Sequence, residues 1–279
     1  MRKALVLLVS LLAACGGERR QQTSNKPVTI KGSDTMVILG QRLAEEYMAR
    51  NQGTVVQVNG GGSGTGIAAL INGTVDLAQA SRPMKDDEKA SAEKARGAQI
   101  VETPVALDSL AVFVHEGNPV KELTLQQLAD IYTGKVKNWS EVGGGNAPII
   151  LYGRENSSGT YDYFKEHVLN KADFANAVQT LQGTAAIVNA VSRDANGIGY
   201  GGIAYDKGVR ALALKKDAST PAVAPSEATV ADGTYPLSRK LYFYSLSNSP
   251  ERVTKFVQWS LTPEAQALVA KVGYFPLSK

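Results

Sequence analysis

The chain has 279 residues, 43% of them hydrophobic and 20% charged, with a formal net charge of +4. That is ordinary composition for one or two globular domains with substantial cores. The basic residues are scattered rather than massed, which argues against nucleic acid as a partner. One cysteine and two histidines, His115 and His167, offer no zinc-like spacing, and no metal or cofactor is expected.

In chain order, Arg2-Lys3 is a short basic region, Ala4 to Leu12 is apolar, and Leu12-Ala13-Ala14-Cys15 places small residues before the lone cysteine. Residues 1–14 read as a targeting segment, too short to span a bilayer as a mature helix. Leu12-Ala13-Ala14-Cys15 resembles a bacterial lipobox, which implies acylation of Cys15; the alternative is an ordinary secretory signal. Residues 15–26 are polar and Gln-rich and read as a flexible tether. The expected location is the periplasm or the outer face of a bacterial membrane, by lipid anchor, without disulfides.

From Val28 onward strands alternate with helices. Val28–Ile30, Val55–Val58, Val75–Ala78, Val101–His115, Pro148–Tyr152, Gly197–Gly202 and Leu241–Tyr244 read as strands. Met36, Leu39, Leu43 and Tyr47 form a helical stripe, as do Tyr161, Phe164 and Val168. Lys85–Arg96, a helix opening at Leu123-Thr124-Leu125, Thr184–Val191 and a helix broken at Thr262-Pro263 complete the set, with a loop over 217–233. This alternation predicts an α/β fold with largely parallel sheets. Ligands of such sheets sit beyond the carboxyl ends of the strands.

Small polar turns fall at those ends: Ser33-Asp34-Thr35-Met36, Ser63-Gly64, Ser81-Arg82, and Arg154 through Ser157-Ser158-Gly159-Thr160. Small residues expose backbone N–H groups at helix starts, hydroxyls add donors, and arginine adds a planar fork suited to a tetrahedral oxyanion. Each turn alone could be a helix cap or a surface ion pair. Gly60–Gly66 lacks the Gly-Lys-Ser/Thr of a P-loop, and there is no Gly-x-Ser-x-Gly elbow. Neutral donors with arginines bind an anion without an evident nucleophile and base, so no enzyme is expected. Both histidines read as structural.

Gly32-Ser33-Asp34-Thr35, Gly61–Gly66, Ala80-Ser81-Arg82-Pro83 and Gly153–Thr160 resemble the anion-binding segments of periplasmic phosphate-binding proteins of the PstS type. Leu123–Gly134, Asn138-Trp139-Ser140, Gly197–Tyr200, Tyr235–Arg239 and Gly273–Leu277 extend the resemblance over roughly residues 27–279. It implies a type II periplasmic-binding-protein-like fold: two α/β lobes joined by two crossover strands, with the ligand cleft between them. Lobe one is expected at 27–106 and 237–279, and lobe two at 107–236. The implied partners are inorganic phosphate and the permease subunits of an ABC transporter, with the protein a monomer. The implied ligand set is Ser33, Asp34, Thr35, Met36, Ser63, Gly64, Ser81, Arg82, Arg154, Ser157 or Ser158, Gly159 and Thr160, with Ser33 and Met36 acting mainly through backbone. Where family members often place an aspartate to accept the phosphate proton, this chain has Ser81-Arg82. Asp34 is the candidate to replace it, and sulfate, molybdate or a phosphatase activity remain alternatives.

Overall fold

A computed structural model describes residues 26–277; the targeting segment, Cys15 and all of the tether but Lys26 lie outside the described residues. Strand β1 (Val28–Gly32) passes through a 3-10 turn, Asp34–Met36, into α1 (Val37–Arg50), which buries Leu39, Leu43 and Tyr47 as the stripe requires. Next come β2 (Val56–Asn59), α2 (Ser63–Ile71), β3 (Leu77–Ala80) and α3 (Asp86–Arg96). Helix α3 carries Asp86, Asp87 and Glu88 in its first turn and Lys94 and Arg96 in its last, matching the helix dipole. Gly97, at φ 61°, ends it in the left-handed region.

The long strand β4 (Ile100–Val114) is followed by β5 (Glu122–Thr124), α4 (Leu125–Tyr132), a 3-10 turn at Trp139–Val142, β6 (Ile150–Arg154) and α5 (Gly159–His167). Then come β7 (Gln179–Leu181), α6 (Thr184–Val191), β8 (Gly197–Gly202), a 3-10 turn at Ile203–Tyr205, β9 (Arg210–Ala211), β10 (Ala213–Lys215) and α7 (Glu227–Ala231). The chain closes with β11 (Ser238–Leu246), α8 (Glu251–Ser260) and α9 (Pro263–Val272).

Three local readings shift. The helix expected from Leu123 starts at Leu125, because Glu122–Thr124 pair with β10 and the Thr124 hydroxyl accepts the Gln127 N–H at 3.0 Å as a cap. The strand expected at Val75–Ala78 lies at Leu77–Ala80, since Asp76 spends its carboxylate on Thr29 and Arg252. The loop over 217–233 contains α7, capped by Ser226.

The main sheet runs β2-β1-β3-β11-β4-β8-β6-β7. Strand β1 is parallel to β2 and β3, and β6 is parallel to β7 and β8, while β11 and β4 are antiparallel to their neighbours. β4 changes partner part-way: Ile100–Ser109 pair with β11 and Leu110–Val114 with β8. One hydrophobic core gathers Ile30, Leu43, Ala106, Leu241 and Phe256; another gathers Leu110, Tyr132, Phe164, Tyr200 and Leu237. The molecule is thus two α/β lobes, each with its own core, joined through β4 and the start of β11. In the second core Phe164 and Tyr200 stack with centroids 4.0 Å apart, and burying such a ring contributes about 1.5–3 kcal/mol. Among the described residues no helix is long and apolar enough to cross a membrane.

Candidate anion-binding site

Parallel pairing sets the carboxyl ends of β1 and β3 side by side, and each strand is followed by a hydroxyl residue, Ser33 and Ser81. Ser63, at the start of α2, accepts the Ser81 N–H on its Oγ at 3.1 Å and lies 3.5 Å from the Ser81 hydroxyl. From the other lobe, the Thr160 hydroxyl lies 2.9 Å from that of Thr35 and 3.5 Å from that of Ser81. Thr35, Ser63, Ser81 and Thr160 are all 0% exposed. Four segments from two lobes therefore bring hydroxyls to one buried point. The first turns of α2 and α5 meet there too, since a Cβ on Gly159 would lie 2.4 Å from Ser63 Oγ. Two helix N-termini, both partly positive, converge with those hydroxyls.

The rest of the Arg154–Thr160 turn closes the lobes over this point. Gly64 donates its N–H to the Ser157 carbonyl at 2.9 Å, and the Ser157 hydroxyl donates to the Gly61 carbonyl at 3.2 Å. Gly62 takes φ 95° and would place a Cβ 2.5 Å from the Ser157 carbonyl oxygen, so only glycine fits there. Ser158 caps α5, its Oγ accepting from the Thr160 and Tyr161 amides, which leaves its O–H free to donate.

Arg154, 2% exposed, ends β6 and binds across the lobes. Its Nη1 donates to Thr184 Oγ1 at 2.9 Å, its Nη2 to Asp34 Oδ2 at 3.2 Å, and its Nε and Nη2 to Glu155 at 3.0 and 2.9 Å. The bond to Asp34, the chain neighbour of Thr35, brings the guanidinium up to the turn that carries the cluster's first hydroxyl. Asp34 also accepts the Gly61 N–H at 2.8 Å. Burial raises the Asp34 carboxyl above its ordinary range, and the Gly61 N–H and Arg154 only partly offset it. For Glu155 burial pushes upward, but its bonds to Arg154 prevail and hold it below the usual range. Tyr205, its hydroxyl pushed up to about 12 by burial, remains a donor at neutral pH and binds the Asp34 carbonyl at 2.8 Å.

Several of the expected ligands take other tasks. Arg82 turns to the carboxylates: its Nη1 and Nη2 each donate to Glu88 at 2.7 Å, and its Nε donates to Asp162 of the other lobe at 2.8 Å. Its charge is thereby spent on an interlobe clamp, so Arg82 does not point into the hydroxyl cluster as expected. The backbone N–H groups of Ser33 and Met36, expected to face the anion, are bonded within the protein: Ser33 N–H to the Gln79 carbonyl and Met36 N–H to the Ser33 carbonyl. The Met36 side chain, 0% exposed, belongs to the first core. Gly64 spends its amide on Ser157. Both histidines make local contacts, His115 Nδ1 accepting the Gly117 N–H at 3.0 Å and His167 packing 4.1 Å from the Tyr163 ring. Thr184, read as the start of a helix, and Tyr205, which no sequence motif singles out, are not among the expected ligands.

The sequence matches the PBP superfamily domain over residues 17–264. It is 39% identical to the phosphate-binding protein PstS of Pseudomonas aeruginosa over 264 residues, 88% of this chain and 81% of that protein. A substrate-binding protein from Clostridium perfringens, solved with phosphate bound, superposes with a TM-score of 0.83 at 32% identity, covering 91% of this chain and 100% of that one. An ABC-type phosphate transport receptor from Vibrio cholerae superposes at 0.72 with 30% identity, covering 90% of this chain and 100% of that one. With its two lobes, crossover strands and interlobe cluster, the chain belongs to the PBP superfamily and, within it, to the PstS family of phosphate-binding proteins.

Proposed function

We propose that this protein captures inorganic phosphate between its lobes and delivers it to the permease subunits of an ABC importer, acting as a monomer. The observation that carries this is the meeting of Thr35, Ser63 and Ser81 with Thr160 at a buried interlobe point beside Arg154. The cluster hydroxyls bond to one another and to backbone, and the histidines are engaged elsewhere, which supports binding rather than hydrolysis. The lobe boundaries, 27–106 with 237–279 and 107–236, are our reading, supported by Ala106 and Leu241 lying in one core and Leu110 and Tyr235 in the other; Leu237 packs in the second core, so the return crossing falls just after it.

Selectivity over sulfate follows from the proton that phosphate keeps near pH 7 and sulfate lacks. A carboxylate accepts that O–H but repels a bare sulfate oxygen. We assign this to Asp34, whose oxygens each accept one bond and have lone pairs remaining. Calorimetric titration with phosphate and sulfate tests both points. Wild type is expected to bind phosphate one-to-one, and at a hundred-fold excess over Kd to gain about 2.7 kcal/mol of stability. Asp34→Asn is expected to weaken phosphate by about 1.5–3 kcal/mol while sparing sulfate. No phosphate binding by ligand-free wild type rejects the function, and an unchanged phosphate-to-sulfate ratio in Asp34→Asn rejects the Asp34 role.

We further propose that residues 1–14 are cleaved and that Cys15 carries the lipid holding the mature protein at the outer face of a bacterial membrane or in the periplasm. Acyl chains contribute about 0.8 kcal/mol per buried CH2. Cys15→Ser is expected to leave the membrane fraction and to lose fatty-acid labelling; continued labelling of the variant refutes the anchor.

A further inference from the structure

Both strands that carry the chain between the lobes bring an ionisable side chain to one place. Asp108 of β4 and Arg239 of β11 are register partners, 0% and 6% exposed. Arg239 Nε donates to Asp108 Oδ2 at 2.8 Å, and Nη2 lies 2.7 Å from the same oxygen. The N–H directions of Nη2 miss that oxygen, however. Nη1 and Nη2 are both buried with no hydrogen-bond acceptor. Buried guanidinium N–H groups without acceptors are costly, so a folded protein that keeps them needs a reason.

Their location supplies one. Asp108 Oδ1, the Thr35 methyl and the Tyr274 hydroxyl lie 3.3, 2.8 and 3.0 Å from the point that a Cβ on Gly202 would occupy. Asp108 is therefore a near neighbour of Thr35. On the other side, Arg239 Cζ lies 5.5 Å from the centroid of the Tyr163 ring. Tyr163 follows Thr160 by three positions in α5, so the two share a helix face. Thr35 and Thr160 are the hydroxyl pair that meets across the lobes at 2.9 Å. The Asp108–Arg239 pair thus borders the cluster through one neighbour on each side, Asp108 beside Thr35 and Arg239 beside Tyr163, one turn of α5 from Thr160. It arrives from the joining strands, whereas Arg154 arrives from β6.

We propose that Arg239 is a second arginine of the anion site, its Nη1 and Nη2 donating to the bound tetrahedral anion while Asp108 holds Nε. The proposal rests on the phosphate reading above. A guanidinium fork fixed at one edge presents its other edge in a set direction, which suits bidentate recognition of an oxyanion. Because Asp108 offsets its charge, Arg239 adds oriented donors without adding net charge. It also makes the strands joining the lobes part of the ligand's surroundings.

The test separates ligand contact from support of the fold. Arg239→Gln alone leaves Asp108 buried without its partner, so it is paired with the double variant Asp108→Asn/Arg239→Gln, which removes both charges and keeps a polar side chain at each position. Melting without ligand and calorimetric titration with inorganic phosphate are measured for each. The double variant is expected to melt close to wild type yet bind phosphate at least about thirtyfold more weakly. Arg239→Lys, which keeps the charge opposite Asp108 but lacks the fork, is expected to fold and to weaken binding about tenfold or more; it decides the matter if the double variant does not fold. Wild-type affinity in the double variant, or in Arg239→Lys, overturns the Arg239 assignment while leaving the phosphate reading intact. Absence of phosphate binding by wild type overturns both.

Discussion

Arg154→Ala is expected to weaken phosphate binding by about 2–5 kcal/mol, the range for truncating one partner of a desolvated charge pair. Arg82→Ala should cost less in affinity, because its guanidinium bonds to Glu88 and Asp162 and to no hydroxyl of the cluster. The difference comes from where each charge is spent. Arg154 is 2% exposed, sits beside the Thr35–Thr160 pair and links Asp34 of one lobe to Glu155 and Thr184 of the other. Removing it takes away a buried cation that bonds to Asp34, next to Thr35 of the cluster. It also leaves two partly buried carboxylates facing each other across the cleft, with side-chain exposures of 18% and 20%. Arg82 binds Glu88 and Asp162 outside the cluster, and Asp162 retains Lys85 at 3.2 Å when Arg82 is gone. Titration of both variants with phosphate checks this, and equal small losses would show that the roles of the two arginines are misassigned.

The alternation of strand and helix was legible because each apolar run changes period at a cluster of small polar residues. The hydroxyl cluster was legible for the same reason, since Ser33–Thr35, Ser63, Ser81 and Thr160 all stand at strand-to-helix turns. What could not be read were partners brought together only by folding. Arg82 and Asp162 are 80 positions apart, and Asp108 and Arg239 are 131 apart. The direction of a guanidinium depends on such a partner, so Arg82 carried the sequence pattern of a ligand while serving as a clamp. A signal for Asp108 did exist. It is a lone acid inside the apolar stretch Val105–Val114, and a carboxylate in a buried strand requires a cation. The strands β7, β9 and β10, each two or three residues long, are too short to carry a readable periodicity.

Gly159→Ala should distinguish the folding of each lobe from their closure. At the first position of α5 alanine is a better helix former than glycine, so the ligand-free protein is expected to melt at or slightly above the wild-type temperature. Closure is another matter. A Cβ on Gly159 would lie 2.4 Å from Ser63 Oγ and 2.9 Å from both Ser63 Cβ and Ser81 Oγ, all in the opposite lobe. Two of those atoms are the hydroxyls that the cluster needs in place, and both residues are 0% exposed with no room to retreat. The methyl group must therefore hold the lobes apart or turn the serines away from the anion. Overpacking of this kind costs about 1–3 kcal/mol, occasionally more. Since closure accompanies binding, the cost should fall on affinity, at roughly five- to 150-fold. Solution scattering with saturating phosphate should show a less compact particle than wild type. A variant that closes fully and binds phosphate within about twofold of wild type would mean that α5 and α2 do not meet around the ligand.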